Sequence, residues 1–355
     1  MRAGAIYRGV ELHLSSLFFI TFALLNFHLT VMSSTSPMPN VHINTKLSRG
    51  IKAFAPASVA NVACGFDILG FALEKPGDEI IARFTDAHKG LKITRITGGT
   101  LPFVPEKNTA GYAILKYLEH IGESERGIEI EIHKKMPCGS GLGSSAASAV
   151  CGVMAVNELL KRPLTKRELL PFATLGESIA SGAIHADNVA PSLLGGFTLV
   201  RDSKTSDVHR IHAPRGMFAT VVYPHVEILT RESRAALNKE VSLKNSIQQS
   251  ANLGAFIIGM FNSDFDLIRR SLIDIIIEPQ RAPAIPSFYA LKAAAESFNV
   301  LGCSISGSGP SVFALSQNSF IAENVAEAFR KIYSDTNIKH DVYISPINNE
   351  GAIVF

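Results

Sequence analysis

The sequence predicts an α+β protein of two domains, an N-terminal βαβ-type domain and a C-terminal ferredoxin-like domain. Three observations carry that prediction. At 355 residues the chain is long enough for two domains of ordinary size. A run of alternating apolar and acidic residues, IEIEI at 128–132, passes through the glycine-rich stretch PCGSGLGSSAAS at 137–148 into a helical pattern over 146–160. In the C-terminal part the elements follow in the order strand, helices, strand, strand, helix, strand, which suits a ferredoxin-like unit.

Composition narrows the class. Hydrophobic residues make up 46% and charged residues 18%, enough for a sizeable core and against bulk disorder. A net charge of +3 is too small to argue for nucleic acid or an anionic membrane surface as partner. Cys64, Cys138, Cys151 and Cys303 form no CxxC pair and no metal-ligand spacing, and read as free thiols of a reducing compartment. Residues 1–50 are expected to lie outside the fold. Within them the mostly apolar stretch 12–31 is about as long as the ~20 residues a membrane crossing needs. Its two His, two Ser, two Thr and one Asn weaken it. Three readings stay open: an anchor or signal, an organelle-targeting segment carrying Arg2 and Arg8, or a true start at Met32 or Met38.

The first domain opens with a strand at 51–55, and Pro56 and Gly65 punctuate a loop. Asp67 follows among Phe66, Ile68 and Leu69. Burying a lone carboxylate costs several kcal/mol, so it needs a partner or a task, unless it caps a turn. Strands are expected at 80–84 and 91–96, then a helix at 110–120 with Asn108 as N-cap. In the 137–148 stretch Gly139, Gly141 and Gly143 let the backbone approach a ligand. The unpaired N–H groups of the following helical turn can face an anion. Ser144 and Ser145 add hydroxyls. No Gly-Lys pair occurs in the chain, which excludes a Walker A loop, and GxGxG is not the GxGxxG of a dinucleotide fold. On these residues alone a plain glycine turn before a Ser-capped helix competes evenly with a phosphate loop.

Thr165 and Glu168 form a capping box for a helix running to about residue 180. Glu177, near its end, is either a solvated acid or a ligand for a hard cation such as Mg²⁺. His185-Ala-Asp187-Asn188 follows; as a metal pair it lacks further ligands nearby. Gly195 and Gly196 mark a turn before a strand at 197–200. Residues 201–216 read as a polar join. A strand at 218–223 comes next, then Thr230 and Arg234 on a segment that by itself is a solvated helix face. A helix at 243–261 carries Leu243, Ile247, Ala251, Gly254 and Ile258 on one stripe. Residues 263–266 cap another helix, which carries Leu267, Ile268 and residues 275–278; Pro279 is expected to stop it and hold Arg281 at its exit. Residues 286–298 are helical. Strands at 303–306 and 311–315 flank Gly307-Ser308-Gly309-Pro310, and a helix at 322–332 and a strand at 341–344 close the chain.

Several of these stretches together resemble one family. The string Pro-x-x-x-Gly-Leu-Gly-Ser-Ser-Ala resembles the phosphate loop of the GHMP kinases, which act on galactose, homoserine, mevalonate and phosphomevalonate. From residue 51 onward the similarity is closest to the members acting on homoserine. It rests on Pro-Ala-x-x-Ala-Asn-x-x-x-Gly-Phe-Asp-x-Leu-Gly, His-x-Asp-Asn-Val-Ala-Pro, Glu-Pro-x-Arg and Ser-Gly-Ser-Gly-Pro. The resemblance implies the two-domain GHMP-kinase fold, with residues 51–205 as the ATP-binding domain and 206–355 as the substrate domain. It implies ATP-dependent phosphorylation of L-homoserine to O-phospho-L-homoserine, with Mg²⁺ held by Ser145 and Glu177, in a cytoplasmic enzyme that needs neither nucleic acid nor membrane and is compatible with a homodimer. ATP would lie over Pro137, Cys138, Gly139, Ser140, Gly141, Leu142, Gly143, Ser144, Ser145, Ala146 and Ala147, with the base near Asn108. The amino acid would be held by Asn61, Asp67, His185, Thr230, Arg234 and Arg281. Asp67 would take the ammonium and the two arginines the carboxylate, while Asn188 orients the attacking hydroxyl. Alternatives are a kinase of the mevalonate or sugar type, or a non-catalytic binder of ATP or an amino acid.

Overall fold

The computed structural model describes residues 50–355, apart from Leu229 and the side chains of Thr230 and Arg231. The expectations for residues 1–49, including the apolar stretch at 12–31, lie outside the described residues. Among the described residues no helix is long and apolar enough to cross a membrane.

The first sheet is organised on one long strand. β1 (Ile51–Ala60) and β2 (Leu69–Phe84) pair antiparallel over most of their length, with a register shift at Pro56. Next come β3 (Leu91–Thr97), α1 (Thr109–His120) and β4 (Ile128–His133). β3 and β4 are parallel neighbours joined through α1, which is the expected βαβ unit. The IEIEI alternation sets the face of β4: Ile128, Ile130 and Ile132 are fully buried, while Glu129 and Glu131 are not. β4 pairs with the second half of β2, and β5 (Phe197–Asp202) pairs with the first part.

α2 (Ser144–Leu159) and α3 (Lys166–Ser181) pack with α1 on this sheet. α2 is apolar on all sides, with Ala146, Ala147, Ala149, Val150, Val153 and Val156 at 0% exposure. A helix of that kind belongs in the centre of a core. α3 starts at the capping box, in which the Thr165 side chain accepts from Glu168 N–H and the Glu168 carboxylate accepts from Thr165 N–H. The short α4 (Val189–Leu194) leads into β5.

The second sheet contains β7 (Phe218–Pro224), β8 (Gly302–Ile305), β9 (Val312–Ser316) and β10 (His340–Pro346) in the order β10-β7-β9-β8, all antiparallel. Fourth, first, third, second is the ferredoxin-like order that the element sequence implied. Between β7 and β8 lie α5 (Thr230–Ala235), α6 (Leu243–Asn262), α7 (Phe265–Ser271), α8 (Glu278–Arg281) and α9 (Phe288–Ser297); α10 (Ser319–Ser334) joins β9 to β10.

The structure corrects several local expectations. β1 runs through Pro56 to Ala60, where a loop was expected, and β2 begins at Leu69, well before the strand expected at 80–84. The polar join at 201–216 contains β6 (Asp207–Ile211), paired with β5; its Val208 and Ile211 are buried, but two apolar residues three apart among polar ones do not make the alternation that marks a strand. Residues 275–278 do not continue α7, which ends at Ser271. Pro279 opens the single turn of α8 instead of stopping a longer helix, a place where its missing N–H costs nothing. The Leu243–Ile258 stripe of α6 faces outward, with Leu243 76% exposed and Ile247 61%; the buried side carries Asn252, Phe256, Gly259 and Met260. The chain then returns to the first sheet, where β11 (Ile353–Val354) pairs with β1.

Candidate active site

Two adjoining cavities collect most of the predicted residues. One, of about 530 Å³, lies over the glycine-rich loop and is lined by Cys138, Gly139, Ser140, Gly141, Gly143, Ser144 and Ser145. Asn108, Lys134 and Ser148 line it as well. The other, of about 50 Å³, is lined by Asn61, Asp67, His185, Asp187, Arg234 and Arg281. Glu177, Asn188, Gly307 and Ser308 line both, so the two spaces meet there. Thr230 opens α5, but its side chain lies outside what the structure describes.

The loop is built by glycines in the left-handed region, Gly139 (φ 68), Gly141 (φ 79) and Gly143 (φ 66). A Cβ on Gly141 would come 2.6 Å from Ser306 O, and one on Gly143 would come 2.2 Å from Ser58 Oγ. Ser306 donates to Gly141 O at 2.6 Å and Ser311 to Ser140 O at 2.6 Å, so the Ser-Gly-Ser-Gly-Pro turn packs directly on the loop. Gly143 is the residue before α2, and the open amides of the first helical turn face the larger cavity. Leu142, Ala146 and Ala147 are fully buried and shape the backbone from below. Pro137 contributes its carbonyl, which accepts from Ser140 Oγ at 2.8 Å. The Ser144 hydroxyl donates to Met136 O, which leaves Ser145 as the serine toward the acids.

Beneath the loop lies a buried ion pair that local sequence patterns do not reveal. Lys134 and Asp78 are in contact, and Lys134 Nζ also donates to Ser144 O at 2.7 Å and Ser148 Oγ at 2.8 Å. Asp78 in turn accepts from Lys135 N–H at 2.9 Å. The pair ties the start of α2 to β2 and β4 and leaves a cation at the cavity wall.

Where the cavities meet, Ser58 Oγ donates to Asn188 Oδ1 at 2.8 Å. With that oxygen committed, Asn188 presents its amide N–H. Glu177 hydrogen-bonds Ser145, yet its Oε2 is buried without a partner. Burial pushes the Glu177 carboxyl up to about 7. Asp187, next to Asn188, is pushed to about 7 by burial and then by Asp67. Burial also lowers the pKa of His185, whose Nε2 has no partner.

In the smaller cavity Arg234 grips Asp67 with both ends of its fork, at 2.8 and 2.6 Å. These two residues, expected to take the ammonium and the carboxylate of one ligand, hold each other in this structure. Arg281 is 6% exposed and donates to Gly307 O at 3.0 Å, while its Nε has no partner. Phe66 lies under both guanidiniums, at 5.4 Å from Arg234 and 5.2 Å from Arg281. Asn61 Nδ2 donates to Gly307 O at 2.7 Å, and its Oδ1 accepts from Asp67 N–H at 3.1 Å. The segment holding them is strained, with Asn61, Val62, Ala63 and Asp67 all at positive φ. Asn108 caps α1 by accepting from Ala110 and Gly111 N–H, as expected.

Such an arrangement, amides at a helix mouth beside a small charged pocket, suits transfer of a group from an anion to a small molecule. Residues 108–196 match the family model for the GHMP kinases N terminal domain and residues 251–335 that for the GHMP kinases C terminal domain. The chain belongs to the GHMP kinase family. Its similarity is strong to proteins named homoserine kinase: that of Chlorobium phaeobacteroides is 47% identical over 316 residues, covering 86% of this chain and 99% of that protein. The crystal structure of homoserine kinase from Cytophaga hutchinsonii superposes with a TM-score of 0.84 at 49% identity, covering 89% of this chain and all of that one. L. major mevalonate kinase, solved in complex with R-mevalonate, shares the fold at 14% identity with a TM-score of 0.63, covering 86% of this chain and 98% of that one.

Proposed function

We propose that the protein is a homoserine kinase, transferring the γ-phosphoryl group of ATP to the side-chain hydroxyl of L-homoserine to give O-phospho-L-homoserine and ADP. One observation carries this reading. The phosphate-loop cavity and the pocket of Asn61, Asp67, Arg234 and Arg281 open onto each other at Glu177, Asn188 and Gly307. The identity to homoserine kinases across most of the chain supports the same reading.

In this reading the triphosphate lies over residues 137–148, where the amides and dipole of α2 meet its negative charge. Lys134 adds a fixed cation to that wall. Residues 51–205 and 206–355 act as the two domains, and both clasp the amino acid. Arg281 and Arg234 take its carboxylate, each able to bind two oxygens. Asp67 takes the ammonium, and Asn61 and His185 close the sides. The Asn188 amide, oriented by Ser58, faces the attacking hydroxyl. An amide accepts no proton, so catalysis rests on alignment and charge neutralisation, which suits the loose transition state of phosphoryl transfer. Asp187 adds a carboxyl beside it.

The partnerless Glu177 Oε2 and the Ser145 hydroxyl fit a hard cation that keeps most of its other ligands from water and phosphate. They would hold Mg²⁺, which when bound supplies positive charge to the phosphate oxygens. Among the described residues no group of three or more His, Cys, Asp and Glu that could hold a metal is present.

A coupled ADP-release assay across L-homoserine, mevalonate and galactose tests the proposal. Turnover with homoserine alone is expected. Faster turnover with mevalonate or galactose, or ATP binding without turnover on any of the three, overturns it.

A further inference from the structure

Arg281 sits on a helix of a single turn, Glu278–Arg281. A helix that short has no stability of its own, because nucleation costs more than one turn returns. Its position comes from Asp274. That carboxylate is 7% exposed and accepts from the N–H groups of Ile276, Ile277 and Glu278, each at 2.9 Å. It thereby holds the turn that leads into α8 and satisfies the N–H of Glu278, the first residue of that helix.

Asp274 is itself held by Gln249, on the inner side of α6. Gln249 Nε2 donates to Asp274 Oδ1 at 3.1 Å and to Cys64 O at 3.2 Å, while Gln249 Oε1 accepts from Ile275 N–H at 3.1 Å. Cys64 belongs to the strained segment that carries Asn61 and Asp67. This side chain therefore ties together two of the pieces of chain that line the smaller cavity, the 61–67 segment and the 274–281 segment, which also meet where Asn61 and Arg281 share Gly307 O and where Phe66 lies under Arg281. These are separated by about 200 residues in sequence, and no strand or helix joins them. The Asp274 charge also supports the buried Arg281, since it acts against the lowering of the Arg281 pKa that burial causes.

We propose that Gln249 and Asp274 are positioning residues: they set the spacing between Asp67 and Arg281 and so match the pocket to the ammonium and carboxylate that an α-amino acid carries on one carbon. The inference rests on the reading of that pocket as the homoserine site. Neither residue lines either cavity, so their effect on the substrate passes through the segments they hold.

The test is Gln249→Ala in the full chain, which keeps the Asp274 cap and removes only the tie. Two measurements are made. Steady-state kinetics should show the KM for L-homoserine raised about tenfold, in line with the loss of a part-buried hydrogen-bonded bridge, with the KM for ATP and kcat within about twofold of the parent. Hydrogen exchange should show faster exchange at the Ile275–Glu278 amides and in the 61–67 segment, with residues 137–148 unchanged. Unchanged exchange in both segments overturns the proposal. So does an equal rise in both KM values, or a changed exchange with an unchanged homoserine KM. A parent chain with no activity on homoserine sinks the functional reading instead, and the exchange data then decide the tie by themselves. Asp274→Asn is the second variant: an amide N–H would face a backbone N–H, so it should show the same selective KM rise more strongly.

Discussion

Replacing Asp67 by Asn removes one negative charge and keeps the shape of the side chain. Two interactions change. The bidentate bond to Arg234, at 2.8 and 2.6 Å, loses its ionic character. The proposed contact to the substrate ammonium loses its charge as well. A hydrogen bond to a charged group contributes about 1.5–3 kcal/mol. The Asp67 side chain is 26% exposed, so solvent screening places the loss at the low end, about 1.5 kcal/mol or roughly tenfold. Release of Arg234 works in the opposite direction, because its fork becomes fully available to the substrate carboxylate. Phe66, 5.4 Å below, still holds that guanidinium in place. The expected result is therefore a rise of about tenfold in the KM for L-homoserine, with the KM for ATP near that of the parent. Titrating each substrate in the coupled ADP-release assay measures both. Equal damage to both KM values, or an unchanged homoserine KM, refutes the assignment of Asp67 to the substrate.

Arg281→Lys puts a point charge where a fork is buried, and the homoserine KM should again rise about tenfold; unchanged kinetics would remove Arg281 from the site. Glu177→Gln tests a pH dependence. The carboxyl keeps its proton up to about 7 in the fold and to 4.5 ordinarily, so the folded state binds more protons between those values and stability falls as pH rises through them. The loss is at most about 3 kcal/mol. Asp187 contributes a similar decline from 3.8 to about 7, so the Gln variant should show roughly half the slope in denaturant unfolding across that window. An identical slope would contradict the burial of Glu177. Gly143→Ala places a Cβ 2.8 Å from Asn188 Oδ1 and forces it into the Ser58–Asn188 bond at a left-handed position. It should lower kcat by about tenfold or more and cost about 1 kcal/mol of stability, read by kinetics and melting; a normal kcat would mean that the Ser58–Asn188 pair does not serve the reaction.

Much of the fold could be read from local pattern, and the failures have physical causes. The IEIEI strand, the 165–168 capping box and the Asn108 cap were legible because each is settled within a few residues. The glycine-rich turn before α2 was legible because its left-handed positions require glycine, whereas its phosphate-loop role came only from the family resemblance. α6 misled because its inner face carries Asn252 and Gly259 while its outer face carries Leu243, Ile247 and Ile258; apolar periodicity follows the more apolar side, which here is outside. α8 was missed because its cap is a carboxylate four residues before its first residue. At the site, the residue types were legible through the family resemblance, but their pairing was not. Asp67 and Arg234 lie 167 positions apart, and Asp78 and Lys134 lie 56 apart, so no local pattern reports either pair. Phe66 under two guanidiniums is visible only in three dimensions.

The pairing matters for what the pocket selects. Lys134 is matched by Asp78 and Arg234 by Asp67. Burial raises the Glu177 and Asp187 carboxyls to about 7. Among the described residues Arg281 makes no ion pair with a carboxylate; burial lowers its pKa, and the more distant Asp67, Asp274 and Asp187 only partly offset that. An incoming carboxylate supplies that ion pair and removes a desolvation penalty already present. An incoming ammonium meets an aspartate that is already satisfied, and must compete with Arg234 for it. In the proposed reading the carboxylate is thus the stronger recognition element and the ammonium the weaker one.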